Sequence, residues 1–360
     1  MAEKVNYNAM DVAKFLSAVL LVCAHTASER VSLPRVLDLC CSLYIVTVPF
    51  FFIASSFLFF KKLDTQANEE RTTSYKKYTA RIWEMYFAWS LIYFCFVVAK
   101  WIMNGSGIDE VVIYFHSALV FSTYPTIWFL PALWIGVSLV YLCRYKWKFT
   151  DGQILLTALL LYCIGAMGYS YHSLTPLTES LNDAYISVFV TWRNGLFNAF
   201  IYAFIGYKIV TGKTSLKYNM LGVVVFGVAF LVEAFAMKRV VPSADANFLF
   251  MLVPFSSCFF SLVSQIKLPD SKVYVPMRKM SMLIFVSQRL FLTAIPSVIA
   301  TGVISGPWDI TENGVLALLM VVAEVCLFSF LLMVGSKRVK IIKYLSLIHI
   351  SEPTRLRCIS

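Results

Sequence analysis

Charged residues are scarce in this sequence. They make up 14% of its 360 residues, and hydrophobic residues make up 59%, whereas ordinary soluble domains are about 25% charged. A long polar segment is also missing, since the longest one, at 61–81, spans about twenty residues and is too short to enclose a core. These shortages exclude a soluble body carried on one membrane anchor.

Metal-site and disulfide patterns are missing as well. The nine cysteines contain no Cys-x-x-Cys pair, and the four histidines do not complete a zinc-site spacing with them. A thiol inside an apolar block behaves as a small hydrophobic group. Five cysteines lie in such blocks: Cys23, Cys95, Cys163, Cys258 and Cys326. The sequence therefore predicts neither a metal site nor a disulfide framework.

The apolar residues form blocks along the whole chain. Several blocks reach the ~20 residues that a helix needs to cross a hydrocarbon core about 30 Å thick. We predict an all-α, polytopic integral membrane protein with about ten spans, at 11–28, 37–60, 82–103, 127–143, 153–170, 194–210, 218–237, 247–266, 280–303 and 314–335. A shorter block at 111–120 is predicted to lie at the membrane interface.

The basic residues indicate the orientation of these spans. The net charge of +11 is not gathered on one face, as nucleic-acid binding would require; it is concentrated in alternate loops. Lys and Arg are abundant at 61–81, 144–148, 208–217, 267–279 and 337–343, and are absent at 104–126 and 304–313. The positive-inside rule therefore predicts that both termini are cytoplasmic, and nucleic acid is not an expected partner.

The first span carries a lysine and a histidine on one helical face. Lys14 and His25 are separated by eleven residues, which is about three helical turns and ~16 Å along the axis. Asp11, one turn before Lys14, is placed to pair with it. Two simpler interpretations stay open: Lys14 as an anchor that reaches the interface, and His25 as an interfacial histidine.

Several motifs resemble the acyltransferase-3 family of membrane acyltransferases. The opening motif has an Asp, a basic residue three positions later and a His eleven positions after that, followed by a second span ending VPFFFIASSFLFFKK. The stretches YTARIWEMYFAWSLIY, WFLPALW and TWRNGLFNAFIYAFIGYKI agree with the same family. The resemblance covers roughly residues 10–335 and implies ten spans.

The chain departs from the family pattern at three places. Lys14 stands where an arginine is commoner, which keeps the charge but loses bidentate binding. Ser55 and Ser56 stand where many members have Ser-Gly. Gln288 stands where members often carry a histidine, and we assign it no catalytic role.

The resemblance implies an acyltransferase that moves an acyl group, usually acetyl, from cytoplasmic acyl-CoA to a hydroxyl of a cell-envelope glycan or lipid-linked sugar. His25 would act as base or as transient nucleophile, with Lys14 and Asp11 beside it. Lys14 and Arg81 would bind the donor. Three residues would bind the acceptor, namely Arg193, Asn194 and Trp128. No tightly bound cofactor is expected.

Two alternative functions remain open, and three charged residues have no assigned role. A transporter or exporter of a small polar or lipid-linked substrate is the main rival function, and a sensor or scaffold is the other. Glu233, Arg289 and Glu324 are charges inside predicted spans whose partners the sequence does not identify.

The end of the chain calls for a separate interpretation. LSLIHISEPTR at 345–355 resembles the in-frame translation of a transposon-derived sequencing adaptor, and we interpret 345–360 as a non-native tail. Residues 1–344 then form one membrane-embedded acyltransferase domain, expected in a bacterial cytoplasmic membrane.

Overall fold

The computed structural model describes residues 7–29, 33–212, 214–241, 246–298, 314–336 and 338. These residues are mostly helical and contain no strand, which confirms the predicted all-α class. Their α-helices are α1 Asn8–Glu29, α2 Arg35–Ser42, α3 Thr47–Asp64, α4 Asn68–Asn104, α5 Ile108–Val120, α6 Phe129–Tyr141, α7 Asp151–Gly168, α8 Pro176–Phe189, α9 Phe200–Thr211, α10 Leu216–Val240, α11 Leu252–Gln265, α12 Tyr274–Arg289, α13 Ile295–Val298 and α14 Gly314–Gly335. The predicted tail at 345–360 lies outside the described residues.

Each predicted span overlaps a described helix, but not every helix is long. Among the described residues, six helices are long and apolar enough to cross a membrane, and two shorter apolar helices cover 195–211 and 252–265. The chain is thus a multi-pass membrane protein, whereas the number ten stays a prediction. The predicted ninth span is interrupted near its middle by a π-helical turn, Leu290–Ala294, and its last part, 299–303, is outside the described residues.

The helix α3 lies at the centre of the structure. Its VPFFF run places three successive phenylalanines in contact with three different helices. Phe50 packs on Phe260 of α11, Phe51 on Phe285 of α12, and Phe52 on Phe129 of α6. A helix that is apolar on all sides needs apolar surroundings, and α3 finds them in the neighbouring helices, which bury most of its side chains. This run therefore organises the bundle around α3.

The directions of packed helices follow the alternation that the sequence predicts. The pairs α1–α12 and α3–α9 run parallel, whereas α4–α6 and α10–α11 run antiparallel. Two contacts give each direction. They are Asp11–Arg278 and His25–Gln288 for α1–α12, and Phe52–Tyr202 and Phe60–Tyr207 for α3–α9. They are Tyr75–Ser138 and Trp83–Trp134 for α4–α6, and Gly222–Cys258 and Glu233–Met251 for α10–α11. When successive spans cross in opposite directions, two odd-numbered or two even-numbered spans run the same way. The helices α1 and α12 belong to spans one and nine, and α3 and α9 to spans two and six, whereas the other two pairs are consecutive spans. All four pairs agree with this rule.

Candidate active site

Lys14 and His25 both face the interior of the bundle rather than lipid. Lys14 is only 5% exposed, although it carries a charge. It donates no hydrogen bond to a described residue, and it lies within electrostatic range of Asp11 and Arg278. His25 is half-buried, and its ring lies 6.1 Å from the ring of Tyr44. The shared face predicted for α1 is therefore directed at its helical neighbours.

The carboxylate of Asp11 makes its ion pair across helices. Arg278 of α12 donates from Nε and Nη2 to Asp11 Oδ2, at 2.9 and 2.5 Å. Sequence spacing indicated a pair between Asp11 and Lys14 within α1, and this expectation is corrected. The Arg278 guanidinium binds Asp11 in preference to the Lys14 ammonium, because two donors on one planar group bind a carboxylate more strongly than one ammonium does. As a result, the Lys14 amine remains available.

Gln288, to which the sequence assigned no role, contacts His25. It is fully buried at 0% exposure, its Oε1 lies 3.0 Å from His25 Nδ1, and its Nε2 donates to the Phe285 carbonyl at 3.0 Å. A backbone carbonyl can only accept, so the amide nitrogen must point to Phe285 and the amide oxygen to His25. Nδ1 of His25 therefore carries the proton, which leaves Nε2 with its lone pair.

Arg193 and Trp128, both predicted to bind the acceptor, are neighbours in the structure. The guanidinium carbon of Arg193 lies 5.6 Å from the Trp128 ring centre and 5.7 Å from that of Tyr169. Arg193 and Arg289 also lie within electrostatic range of His25. The structure thus brings together a histidine, two arginines and two aromatic rings from distant parts of the chain.

Asn194 has a local structural function. Its Oδ1 accepts hydrogen bonds from the backbone N–H groups of Leu196 and Phe197, and its Nδ2 donates to the Tyr185 hydroxyl. These contacts cap the π-helical turn Gly195–Ala199, where helical N–H groups need acceptors. This cap accounts for Asn194, whose side chain is already engaged.

Arg81 lies away from the histidine. It is part of α4 and lies within electrostatic range of Lys62, near the end of α3. Its position relates it to the basic segment 61–81, which the structure shows as the end of α3 and the start of α4, rather than to His25. If Arg81 binds the acyl donor, it does so at the end of the bundle where Asp11 pairs with Arg278.

Glu233 is a structural cap. Its two carboxylate oxygens accept hydrogen bonds from the backbone N–H groups of Phe250 and Met251, each at 2.8 Å, and the Tyr171 hydroxyl donates to it. These amides directly precede α11, where a negative charge is stabilised by the helix dipole. Of the other two charges without a predicted partner, Arg289 ends α12 beside Gln288, and Glu324 lies in α14, which packs on α12.

A metal centre is not formed by the described part of the chain. It contains no group of three or more His, Cys, Asp or Glu side chains placed to hold a metal ion. The His25 imidazole lies near the guanidinium groups of Arg193 and Arg289, and the Lys14 amine lies about three turns away along α1.

Comparisons with known proteins identify the family. The model of the acyltransferase-3 family, described as an acyltransferase domain, matches residues 7–334. Two curated relatives, each named amino-acid racemase and both from Enterococcus faecalis, are 24% and 26% identical over 89% and 73% of this chain. The chain spans less than half of their length, 45% and 36% respectively. No solved structure matches it significantly. With a family match over nearly its whole length, the chain belongs to the acyltransferase-3 family.

Proposed function

We propose that this protein transfers an acyl group, in the first instance acetyl, from acyl-CoA on the cytoplasmic side to a hydroxyl of a cell-envelope glycan or lipid-linked sugar. The observation that carries the proposal is the arrangement of His25. Its Nδ1 is bonded to a glutamine that is itself fixed by a backbone carbonyl. A base for acyl transfer needs a free nitrogen in a defined tautomer, and Nε2 meets that need.

The reaction balances with the groups present. The acceptor hydroxyl gives its proton to His25 Nε2 as its oxygen forms a bond to the thioester carbonyl carbon. The carbon–sulfur bond then breaks, and the imidazolium returns the proton to the leaving thiolate of coenzyme A. In the alternative course Nε2 itself attacks the thioester carbon and the carbon–sulfur bond breaks to release the thiolate. The hydroxyl oxygen then takes the acyl group from Nε2, and the hydroxyl proton passes to the thiolate. Both courses use the same nitrogen.

Lys14 supports the donor side of this scheme. A buried amine without a hydrogen-bond acceptor is costly in an apolar setting, so an anionic or strongly dipolar ligand would stabilise it. The phosphates and the thioester carbonyl of acyl-CoA are such groups. Lys14 lies near the basic connections of the cytoplasmic side in the predicted orientation, with His25 deeper in the same helix.

Replacement of two residues in α1 tests the proposal. We expect His25→Ala, inserted at the normal level, to abolish acetylation of the acceptor, because the base is removed. Lys14→Ala should strongly lower activity, and Lys14→Arg should restore much of it. The measurement is mass spectrometry of envelope glycans and lipids from cells with and without each variant.

The same experiment separates the enzyme from a transporter. Wild-type acetylation in the His25→Ala variant would remove His25 from the mechanism. Accumulation of a substrate that depends on this protein, with no acetylated product, would favour the transporter instead.

A further inference from the structure

The guanidinium of Arg193 has no hydrogen-bond acceptor in the described part of the chain. Its Nε is buried and unpaired, and no described carboxylate lies within 4.0 Å of the group. The centres of the Trp128 and Tyr169 rings lie 5.6 and 5.7 Å from its guanidinium carbon. Aromatic faces attract the cation, but they do not accept all five of its N–H bonds. A half-buried arginine is thus left with unused donors.

This arginine is held on a rigid segment. Val190, three residues earlier, has φ 64° and ψ −42°, and the Thr191 N–H donates to the Phe189 carbonyl across it at 2.6 Å. A positive φ at a β-branched residue is strained and persists only where the surroundings impose it. The chain is therefore held firmly just before Arg193.

Neighbouring contacts impose that conformation. The Trp192 ring stacks on Tyr185 of α8 with 3.7 Å between ring centres, and its Nε1 donates to Asn182 at 2.9 Å. Gly168 leaves the room that the Trp192 ring occupies, since a Cβ there would lie 2.3 Å from the indole. Arg193 is therefore preorganised, as binding residues are.

The position of Arg193 relates it to the acceptor rather than to the donor. It lies within electrostatic range of His25, at the end of α1 opposite to the Asp11–Arg278 pair. The basic connections 61–81 and 267–279 lie at that other end, where acyl-CoA is proposed to enter. Arg289 adds a second positive charge near His25. The surroundings of the base therefore favour a negatively charged acceptor.

We propose that the Arg193 guanidinium binds a carboxylate or phosphate group on the acyl acceptor and thereby selects anionic acceptors. The inference rests on the proposed acyltransferase function and adds the substrate class. An anion of either kind matches the planar donor edge of arginine bidentately. The rings of Trp128 and Tyr169 would hold the guanidinium plane while its edge receives the ligand.

The first test is the charge of the product. Envelope glycans and lipids from cells with and without the gene are compared by mass spectrometry, and the gene-dependent acetylated species is expected to carry a carboxylate or phosphate. A neutral acetylated species overturns the anionic-acceptor proposal and leaves the acyltransferase standing. Absence of any gene-dependent acylation overturns the acyltransferase proposal itself.

The second test assigns the anion to Arg193. In membrane vesicles supplied with acetyl-CoA and the deacetylated form of that species, Arg193→Gln should raise the KM for the acceptor roughly 30-fold or more. The KM for acetyl-CoA should stay unchanged, and Arg193→Lys should recover part of the loss. A rise confined to the KM for acetyl-CoA would assign the site to donor phosphate and overturn the proposal.

A matched control exists on the surface. Arg239 also packs on an aromatic ring, 4.7 Å from the centre of Phe235, but it is exposed. Arg239→Gln should leave both KM values unchanged. An equal effect of the two replacements would show a general loss of positive charge rather than a binding site, and would overturn the proposal.

Discussion

The orientation of one amide determines which nitrogen of His25 can react. Phe285 O fixes the Gln288 amide nitrogen, and the amide oxygen then fixes the proton on Nδ1. In a low-dielectric interior such a hydrogen bond is strong, and the cost of leaving it unmade is high. In the proposed reaction Gln288 thus positions the base through its contact with His25 Nδ1.

Replacement of Gln288 should lower the turnover number rather than binding. Gln288→Leu removes the acceptor for Nδ1 and frees the ring to change tautomer, so kcat is expected to fall roughly 10-fold or more. Gln288→Glu keeps an oxygen at the same place and should recover much of the rate. Steady-state kinetics in membrane vesicles measure both variants.

The neighbouring Ser287 provides the control for that prediction. It is equally buried and lies 3.4 Å from Ser329 on α14, away from the histidine. Ser287→Ala should keep near-normal kcat. A Gln288→Leu variant as active as wild type, or a Gln288→Glu variant no better than the leucine, would contradict the positioning role.

Local spacing predicted part of this site and could not predict the rest. The shared face of Lys14 and His25 follows from a period of 3.6 residues within one helix. The Gln288 contact joins residues 263 positions apart, and the Asp11–Arg278 pair joins residues 267 positions apart. Such pairs depend on which helices become neighbours, and one sequence carries no direct signal of that choice.

At the scale of elements, α3 and α9 approach closely through small residues. A Cβ at Gly206 would lie 2.7 Å from the Ile53 carbonyl oxygen and 2.8 Å from Ser56 Cβ. Ser56 occupies the position where many family members have glycine, and its hydroxyl bonds back to Phe52 within α3. The missing glycine is therefore supplied by the partner helix. Small residues at such crossings let membrane helices pack closely.

This crossing predicts a stability effect. Gly206→Ala should destabilise the protein by about 1–3 kcal/mol, because the methyl group meets backbone that cannot move away. Gly152→Ala is the matched control, since Gly152 lies in the first turn of α7 with open space around it. Thermal unfolding in detergent should show a lower midpoint for the first variant only. Equal midpoints would show that α3 and α9 can separate without cost.

The helix α8 shows where hydropathy was an insufficient guide. Its sequence, PLTESLNDAYISVF, is too polar and too short for a span and received no prediction. Its start has a recognisable signal, because Thr175 caps the helix, Pro176 follows it, and Thr178 completes a capping box. Attention to caps would have found it, whereas its contact with Trp192 depends on tertiary packing.

At the scale of the whole molecule, the alternation of helix directions limits the topology. The parallel pair α1–α12 and the antiparallel pairs α4–α6 and α10–α11 are compatible with spans that cross in turn. The helix α6 is one demanding case, because its 13 residues reach only ~20 Å of a core about 30 Å thick. Continuation through the π-helical turn to Lys146 extends the rod to roughly 27 Å, close to that thickness.

Insertion of short epitope tags tests whether this extended helix crosses. A tag in the connection 105–107 and a tag in the connection 148–150 lie on either side of α5 and α6. If α5 rests at the interface and Phe129–Lys146 crosses, the first tag should bind antibody in intact cells. The second should bind only in opened cells, because the basic connection at 144–148 stays inside. Tags found on one side would mean that α6 does not cross, and the predicted count of ten spans would then be wrong.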